Sequence, residues 1–241
     1  MGDILHVGVN VGFALVIYAM VAHWSLLPLA LILVFLSKWR ILAVQPRFWL
    51  PNIKANLVDL VFGISIVGLI AQSPYTWLSL VWTVVYVLWL LFLKPQADEF
   101  WVGGQAFLSQ LLGLLVLFMI PGIVKMPLVL LAASWIIAWA AARHFFSNYE
   151  EPHYRTLGLI WGLLVAQFMW VGLHWIQYYV VFGVKIAVLP LAIAVIMGAL
   201  GSVYHAYKKN ALHRAVVIEN GLFAAALLTV MLLTAGWTPR L

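Results

Sequence analysis

Residues 100–120 read FWVGGQAFLSQLLGLLVLFMI and contain no acidic or basic side chain. A helix needs about 20 mainly apolar residues to cross the hydrocarbon core of a bilayer. This stretch meets that requirement and predicts a transmembrane helix. The whole chain has the same character, with 66% hydrophobic and 8% charged residues, whereas soluble domains have about 25% charged residues. The sequence therefore predicts an integral membrane protein and excludes a soluble globular one.

Eight further apolar stretches flank this one and are separated by short polar connections. The nine stretches are 4–22, 24–38, 54–72, 76–93, 100–120, 127–143, 156–176, 180–204 and 216–236. We interpret the chain as an all-α polytopic bundle of about nine spans that forms one integral membrane domain over residues 1–241. The stretch from Ile4 follows no basic segment and precedes no small-residue cleavage site, so we expect a retained first span. Pro28 predicts a kink or tilt in the second span.

The basic residues indicate the orientation of the spans. With the N-terminus in the cytoplasm, ten of the 13 Lys and Arg residues fall on the inner side and three on the outer side. The outer three are Lys125, Lys185 and Arg240, and the inner ten are Lys38, Arg40, Arg47, Lys54, Lys94, Arg143, Arg155, Lys208, Lys209 and Arg214. Since cytoplasmic loops of membrane proteins are rich in Lys and Arg, we expect an N-in, C-out protein of the cytoplasmic (inner) membrane.

Composition also narrows the ligands and partners. The chain has no cysteine, which excludes disulfides, thiolate metal ligands and cysteine nucleophiles. Its net charge of +6 accompanies no basic run or recognition motif, so we expect no nucleic-acid partner. No phosphate-binding loop, zinc-protease or serine-hydrolase motif occurs, and we expect no cofactor and no metal. The partners expected are the bilayer, other membrane subunits, or a small membrane-permeating substrate.

Polar residues inside apolar stretches need an explanation, because ionisable side chains in hydrocarbon are costly. The candidates are Asp59, Gln105, Gln110, Gln167, His174, Glu219 and Asn220. We interpret Asp59 as an acid at a helix start, favoured by the helix dipole, with a functional acid as the alternative. Glu219 and Asn220 open the ninth stretch, where we interpret Glu219 as a helix-start acid that pairs with Arg214 or Lys209.

Amide side chains can join neighbouring helices. Gln105 and Gln110 occur among small residues, which favours close helix packing and interhelical hydrogen bonds over ligand binding. Gln167, Trp170 and His174 follow a spacing of three and four and therefore share one helix face. We expect this face to point to the protein interior, because an amide exposed to lipid is unfavourable.

Two short motifs resemble those of a known family. Residues 150–155 fit EExxxR with Glu150, Glu151 and Arg155, and Trp170 with His174 fits the family's FxxxH with Trp in place of Phe. In order and setting these resemble the CAAX-prenyl-protease and bacteriocin-immunity family of intramembrane proteases. The resemblance covers about residues 150–223 and implies a Glu and His site around a water molecule, with Glu150, Glu151, Arg155 and His174 as catalytic residues.

The chain departs from that family in its third motif and in its geometry. No HxxxN follows, since Asn210 comes five residues after His205. A straight helix rises about 1.5 Å per residue, which places Glu151 and His174 on opposite sides of the bilayer. We therefore expect a non-enzymatic protein, either a small transporter or a subunit or assembly factor of a membrane complex. The alternative is a divergent intramembrane hydrolase of the CAAX-protease type.

Charged residues also cluster between the sixth and seventh spans. Arg143, His144, Glu150, Glu151, His153 and Arg155 lie within this short inner segment. We predict that Glu150 and Glu151 are structural ion-pair partners, either within this segment or with Lys208, Lys209 and Arg214.

Overall fold

The computed structural model describes residues 2–38, 43–175 and 177–237, without the side chains of residues 2, 3 and 237. Within these residues the α-helices are α1 Gly2–Tyr18, α2 Leu27–Leu36, α3 Trp49–Ala71, α4 Thr76–Leu88, α5 Glu99–Met119, α6 Pro127–Asn148, α7 Tyr154–Gly172, α8 Val188–Lys208 and α9 Arg214–Thr234. π-Helical turns extend α1 over Ala19–His23 and α4 over Trp89–Leu93. Arg40 and Arg240, which contribute to the predicted orientation, lie outside the described residues.

Eight helical segments in the described part of the chain are long and apolar enough to cross a membrane. This confirms the all-α polytopic fold. The second predicted span is wrong in its extent, because α2 has only ten residues. Ten residues rise about 15 Å, half of a hydrocarbon core of about 30 Å. Pro28 lies in the first turn of α2. Backbone N–H groups in a first turn have no acceptor within the helix, so proline is tolerated there.

The third helix begins earlier than the sequence predicts. We expected it to start at Lys54, but α3 starts at Trp49 and includes Pro51 in its first turn, where proline is tolerated. Asp59 therefore lies about 15 Å along the helix axis from its first residue. The interpretation of Asp59 as a helix-start acid is wrong.

A small sheet separates α7 from α8, where the sequence predicted a helix from residue 180. Strands β1 (Gln177–Val181) and β2 (Val184–Ala187) form an antiparallel hairpin, and β3 (Gly236–Trp237) pairs with the other edge of β1. The two turn residues, Phe182 and Gly183, have φ of 50° and 75°. Positive φ at both positions matches the twist of a two-residue hairpin, and the Tyr and Val residues of β1 favour a strand.

The chain forms two compact units, Met1–Ile120 (the first unit) and Pro121–Leu241 (the second unit). In the first unit α3 packs against α1, α2, α4 and α5. Its core contains the fully buried side chains of Ile17, Phe62, Ile66 and Trp89. In the second unit the main helix pairs are α6 with α7 and α8 with α9. The single membrane domain expected from the sequence stays a prediction.

Candidate functional site

The first unit holds a charged cluster around Asp59. One carboxylate oxygen, Oδ2, accepts a hydrogen bond from the Lys38 ammonium group and lies 3.3 Å from Lys94 Nζ. The other oxygen, Oδ1, accepts a hydrogen bond of 2.8 Å from the Trp89 indole N–H. We name Lys38, Asp59, Trp89 and Lys94 the Asp59 centre. It joins the end of α2 to α3 and to the end of α4, three consecutive helices of the first unit.

A π-helical turn allows two members of this centre to reach the same carboxylate. Residues five apart in an α-helix point about 140° away from each other. Here the Lys94 N–H donates to the Trp89 carbonyl at 2.8 Å, the i to i+5 bond of a π-helix. This wider turn brings residues five apart onto the same face, so Trp89 and Lys94 both point at Asp59. Single π-helical turns of this kind occur frequently at functional sites.

Packing fixes the position of the centre within the first unit. The Trp89 ring stacks on Phe62 with centroids 3.7 Å apart and an interplanar angle of 9°. Ser109 of α5 donates to the Val58 carbonyl at 2.8 Å, which ties α5 to α3 beside Asp59. The Lys38 and Asp59 side chains are 10% and 15% exposed, whereas Lys94 is 39% exposed. The centre is therefore buried on the Lys38 side and open on the Lys94 side.

α5 has two glutamines in the interior of the first unit. Gln105 and Gln110 are both buried. The Gln105 amide donates to the carbonyls of Leu93 at 2.6 Å and Gln96 at 3.0 Å. It thereby satisfies carbonyls at the end of the π-helical turn, where a helix leaves acceptors without intrahelical donors. The interhelical hydrogen bonding expected of these amides is found for Gln105. The preference for packing over ligand binding stays a prediction.

Glu151 is the centre of a second polar cluster, at the start of α7 in the second unit. Its Oε2 lies 2.7 Å from Lys208 Nζ and accepts a hydrogen bond of 2.6 Å from the Tyr204 hydroxyl. The Lys208 ammonium group, and next the Tyr204 hydroxyl, hold the pKa of this carboxyl below its ordinary value. The Tyr204 ring packs edge-on against Phe146 and Tyr149, with centroids 5.0 and 5.4 Å apart.

The predicted ion-pair role is confirmed for Glu151, whose partner is Lys208. Glu150 has an exposed side chain and a left-handed backbone with φ of 50°. Within residues 43–175 and 177–237, the structure shows no ion pair for Glu150. Arg155 lies with its guanidinium group 5.6 Å from the Tyr154 ring.

The face formed by Gln167, Trp170 and His174 is exposed, so the prediction that it points inward is wrong. The opposite face of α7 is buried instead, through Gly158, Gly162, Val165 and Met169. A Cβ on Gly162 would lie 2.7 Å from Trp135 of α6, which shows how closely these helices approach. Close approach at small residues, rather than amide pairing, determines which face of α7 is buried.

The residues of the protease-like motifs are not brought together. α7 is one continuous helix from Tyr154 to Gly172, with a rise of about 28 Å. Glu150 and Glu151 precede this helix and His174 follows it. The His174 Nδ1–H donates to the Trp170 carbonyl of its own helix at 3.0 Å. No group of three or more His, Asp or Glu side chains with metal-ligand geometry occurs in the described residues.

The last helix, α9, differs from the others because none of its 21 residues is buried. It begins at Arg214, so Glu219 lies in its second turn with an exposed side chain, and the interpretation of Glu219 as a helix-start acid is wrong. The Asn220 amide donates to the Val216 carbonyl of the same helix at 2.9 Å. Both positions are placed within α9 and belong to no polar cluster in the described residues.

One face of α9 consists of small exposed residues. Gly221, Ala225 and Thr229 are spaced by four and are all exposed. No atom lies within 4 Å of a Cβ built on Gly221. We name these three residues the small-residue face of α9. The spacing resembles Gly158 and Gly162 of α7, but that pair is covered by α6, whereas the face of α9 has no neighbour among the described residues.

No family model, no curated protein and no solved structure matches this chain.

Sequence reasoning missed Lys38, Trp89 and Lys94 as partners of Asp59, and it missed the small-residue face. The two lysines looked like ordinary basic residues after spans, and no spacing rule connects them to Asp59. The small-residue face had a readable signal, the GxxxAxxxT pattern of residues 221–229. That pattern is typical of transmembrane helix association.

Proposed function

We propose that this protein is a non-enzymatic subunit or assembly factor of a membrane complex, and that α9 binds a transmembrane helix of another subunit. The observation that carries the proposal is the small-residue face, an exposed Gly221–Ala225–Thr229 stripe on a helix with no buried residue. Helices in lipid associate where small residues allow their backbones to approach closely. The same chain uses this kind of contact between α6 and α7, where it is filled.

The packing of α9 against α8 supports the proposal that the small-residue face binds a partner helix. Five of the half-buried residues of α9, Val216, Asn220, Ala224, Leu227 and Met231, form one stripe along the helix, and Leu228 lies at the edge of that stripe. The small-residue face lies about 140° around the helix from that stripe. A partner helix can therefore bind Gly221 and Ala225 while α8 keeps its own contacts.

Complex size in mild detergent tests the proposal. Gly221→Leu adds bulk to the small-residue face and should release the partner, while Ala226→Leu adds bulk to an exposed neighbouring face and should not. Gly221 has open space around its Cβ, so its substitution leaves the fold intact. Equal complex size for wild type and Gly221→Leu contradicts the proposal.

The cytoplasmic (inner) membrane is the proposed location. Its support is the bias of Lys and Arg to the predicted inner side.

The hydrolase alternative requires a glutamate and His174 around one water molecule. The continuous helix α7 between Glu151 and His174 counts against it. Cleavage of a membrane peptide that is lost in Glu151→Gln and in His174→Ala would support the hydrolase. The absence of cleavage by the wild-type chain favours the non-enzymatic function.

A further inference from the structure

The Asp59 centre contains more positive than negative charge. Lys38 and Lys94 both contact the single Asp59 carboxylate, so one of the two ammonium charges is unbalanced within the cluster. Charge held in an apolar bundle is costly unless it is paired. The Trp89 N–H is already donated to Asp59 Oδ1, so the surplus charge belongs to the lysines. The cluster is therefore cationic, and it is suited to an anion.

The open side of the centre determines where an anion can reach it. Lys38 is nearly enclosed, while 39% of the Lys94 side chain is exposed. Lys94 is the first residue after the π-helical turn, at the end of α4. Lysines at the ends of spans extend toward the headgroup layer, where phosphate groups are concentrated. Lys94 instead turns its ammonium group back to 3.3 Å from Asp59.

We propose that Lys94, supported by Lys38, binds a phosphate group at this end of the first unit, with Asp59 as the counterion that holds the two lysines in place. The phosphate oxygens bind Lys94 on its exposed side and balance the second ammonium charge. The π-helical turn has a specific role, because it aims Lys94 into the centre while its side chain stays accessible. The site lies in the first unit and does not depend on partner binding by α9.

Lipid retention in native mass spectrometry tests the site. The purified full chain is equilibrated with phosphatidylglycerol or with phosphatidylcholine of the same acyl chains. A separate sample contains phosphatidylglycerol with inorganic phosphate as competitor. We expect phosphatidylglycerol to be retained, and Lys94→Gln to lower its retention about tenfold, the effect of losing one charge-assisted hydrogen bond. Lys94→Arg keeps the charge and should keep most of the retention.

Matched variants separate this site from general attraction to basic residues. Lys209→Gln removes another lysine predicted on the inner side and should leave retention unchanged. Displacement of the lipid by inorganic phosphate supports the site and identifies free phosphate as a ligand, while resistance to displacement supports it with a lipid ligand. Equal retention by wild type and Lys94→Gln, or equal losses in Lys94→Gln and Lys209→Gln, overturns the proposal.

Discussion

Trp89 and Lys94 lie five residues apart, and the side chains of both contact the carboxylate of Asp59. An α-helix would point one of them away, so the π-helical turn Trp89–Leu93 is what gives Asp59 its two partners from α4. This arrangement connects an irregularity of the backbone to the only acid that pairs with Lys38 and Lys94 in the described residues.

Removal of the Asp59 carboxylate should strongly destabilise the protein. Asp59→Ala leaves two lysines without their counterion, and breaking a buried ion pair in this way costs about 3–5 kcal/mol. Lys94→Gln should cost less, because its side chain is more exposed and Lys38 still pairs with Asp59. Thermal unfolding of the purified chain in detergent measures both effects. A Lys94→Gln variant less stable than Asp59→Ala contradicts this ordering.

Stability should fall at acidic pH through Glu151. Lys208 and Tyr204 hold the folded-state pKa of this carboxyl below its ordinary value of 4.5. Its contribution is therefore fully present above the unfolded-state pKa and is lost as the pH falls through the folded-state pKa. Wild type should have a higher Tm than Glu151→Gln at pH 7, and the difference should shrink as the pH is lowered below about 4.5.

Glu150→Gln is the matched control for this pH effect. Its side chain is exposed, so its Tm should follow that of wild type over the same pH range. A difference between wild type and Glu151→Gln that does not change with pH would argue against the Lys208–Glu151 pair as the source.

Two glycines should respond in opposite ways to the same substitution. Gly162→Ala places a Cβ 2.7 Å from the Trp135 ring and should lower stability by about 1–3 kcal/mol. Gly221→Ala meets no atom within 4 Å and should be neutral or stabilising, since alanine favours a helix over glycine. Thermal unfolding compares the two variants directly. Similar losses for both would mean that α9 is covered within the chain.

The predicted orientation can be checked with reporter fusions. Reporters fused near Ser73 and Lys125 should lie outside the cytoplasm, and one near Asn210 should lie inside. The basis is the bias of basic residues, together with the alternation of long helices α3 to α9. A reporter near Asn210 that is active only outside would reverse the orientation.

The general fold could be predicted from sequence because a helix that crosses a bilayer must be long and apolar. Each such helix can be recognised from its own hydropathy, without knowledge of its contacts. The ten-residue α2 and the β1–β2 hairpin were missed because apolar residues can continue through a short helix or a strand without a change in hydropathy. The prediction of the inward face of α7 was wrong because it was based on the amide of Gln167, whereas the glycines of the opposite face determine the packing. The ion pair of Glu151 with Lys208 could be predicted, because opposite charges on the predicted inner side of the membrane have few other partners. The Asp59 centre was missed because it depends on a π-helical turn, which has no sequence signal here.

Photo-cross-linking in intact membranes is the most direct test of the central claim that α9 binds a partner helix. A photoreactive residue is placed at Ala225, on the small-residue face, or at Ala226, which is also exposed but lies on a neighbouring face. We expect Ala225 to give one protein adduct of defined mass that Gly221→Leu abolishes, and Ala226 to give lipid adducts. Lipid adducts alone from both positions, or a protein adduct from Ala225 that survives Gly221→Leu, would contradict the account.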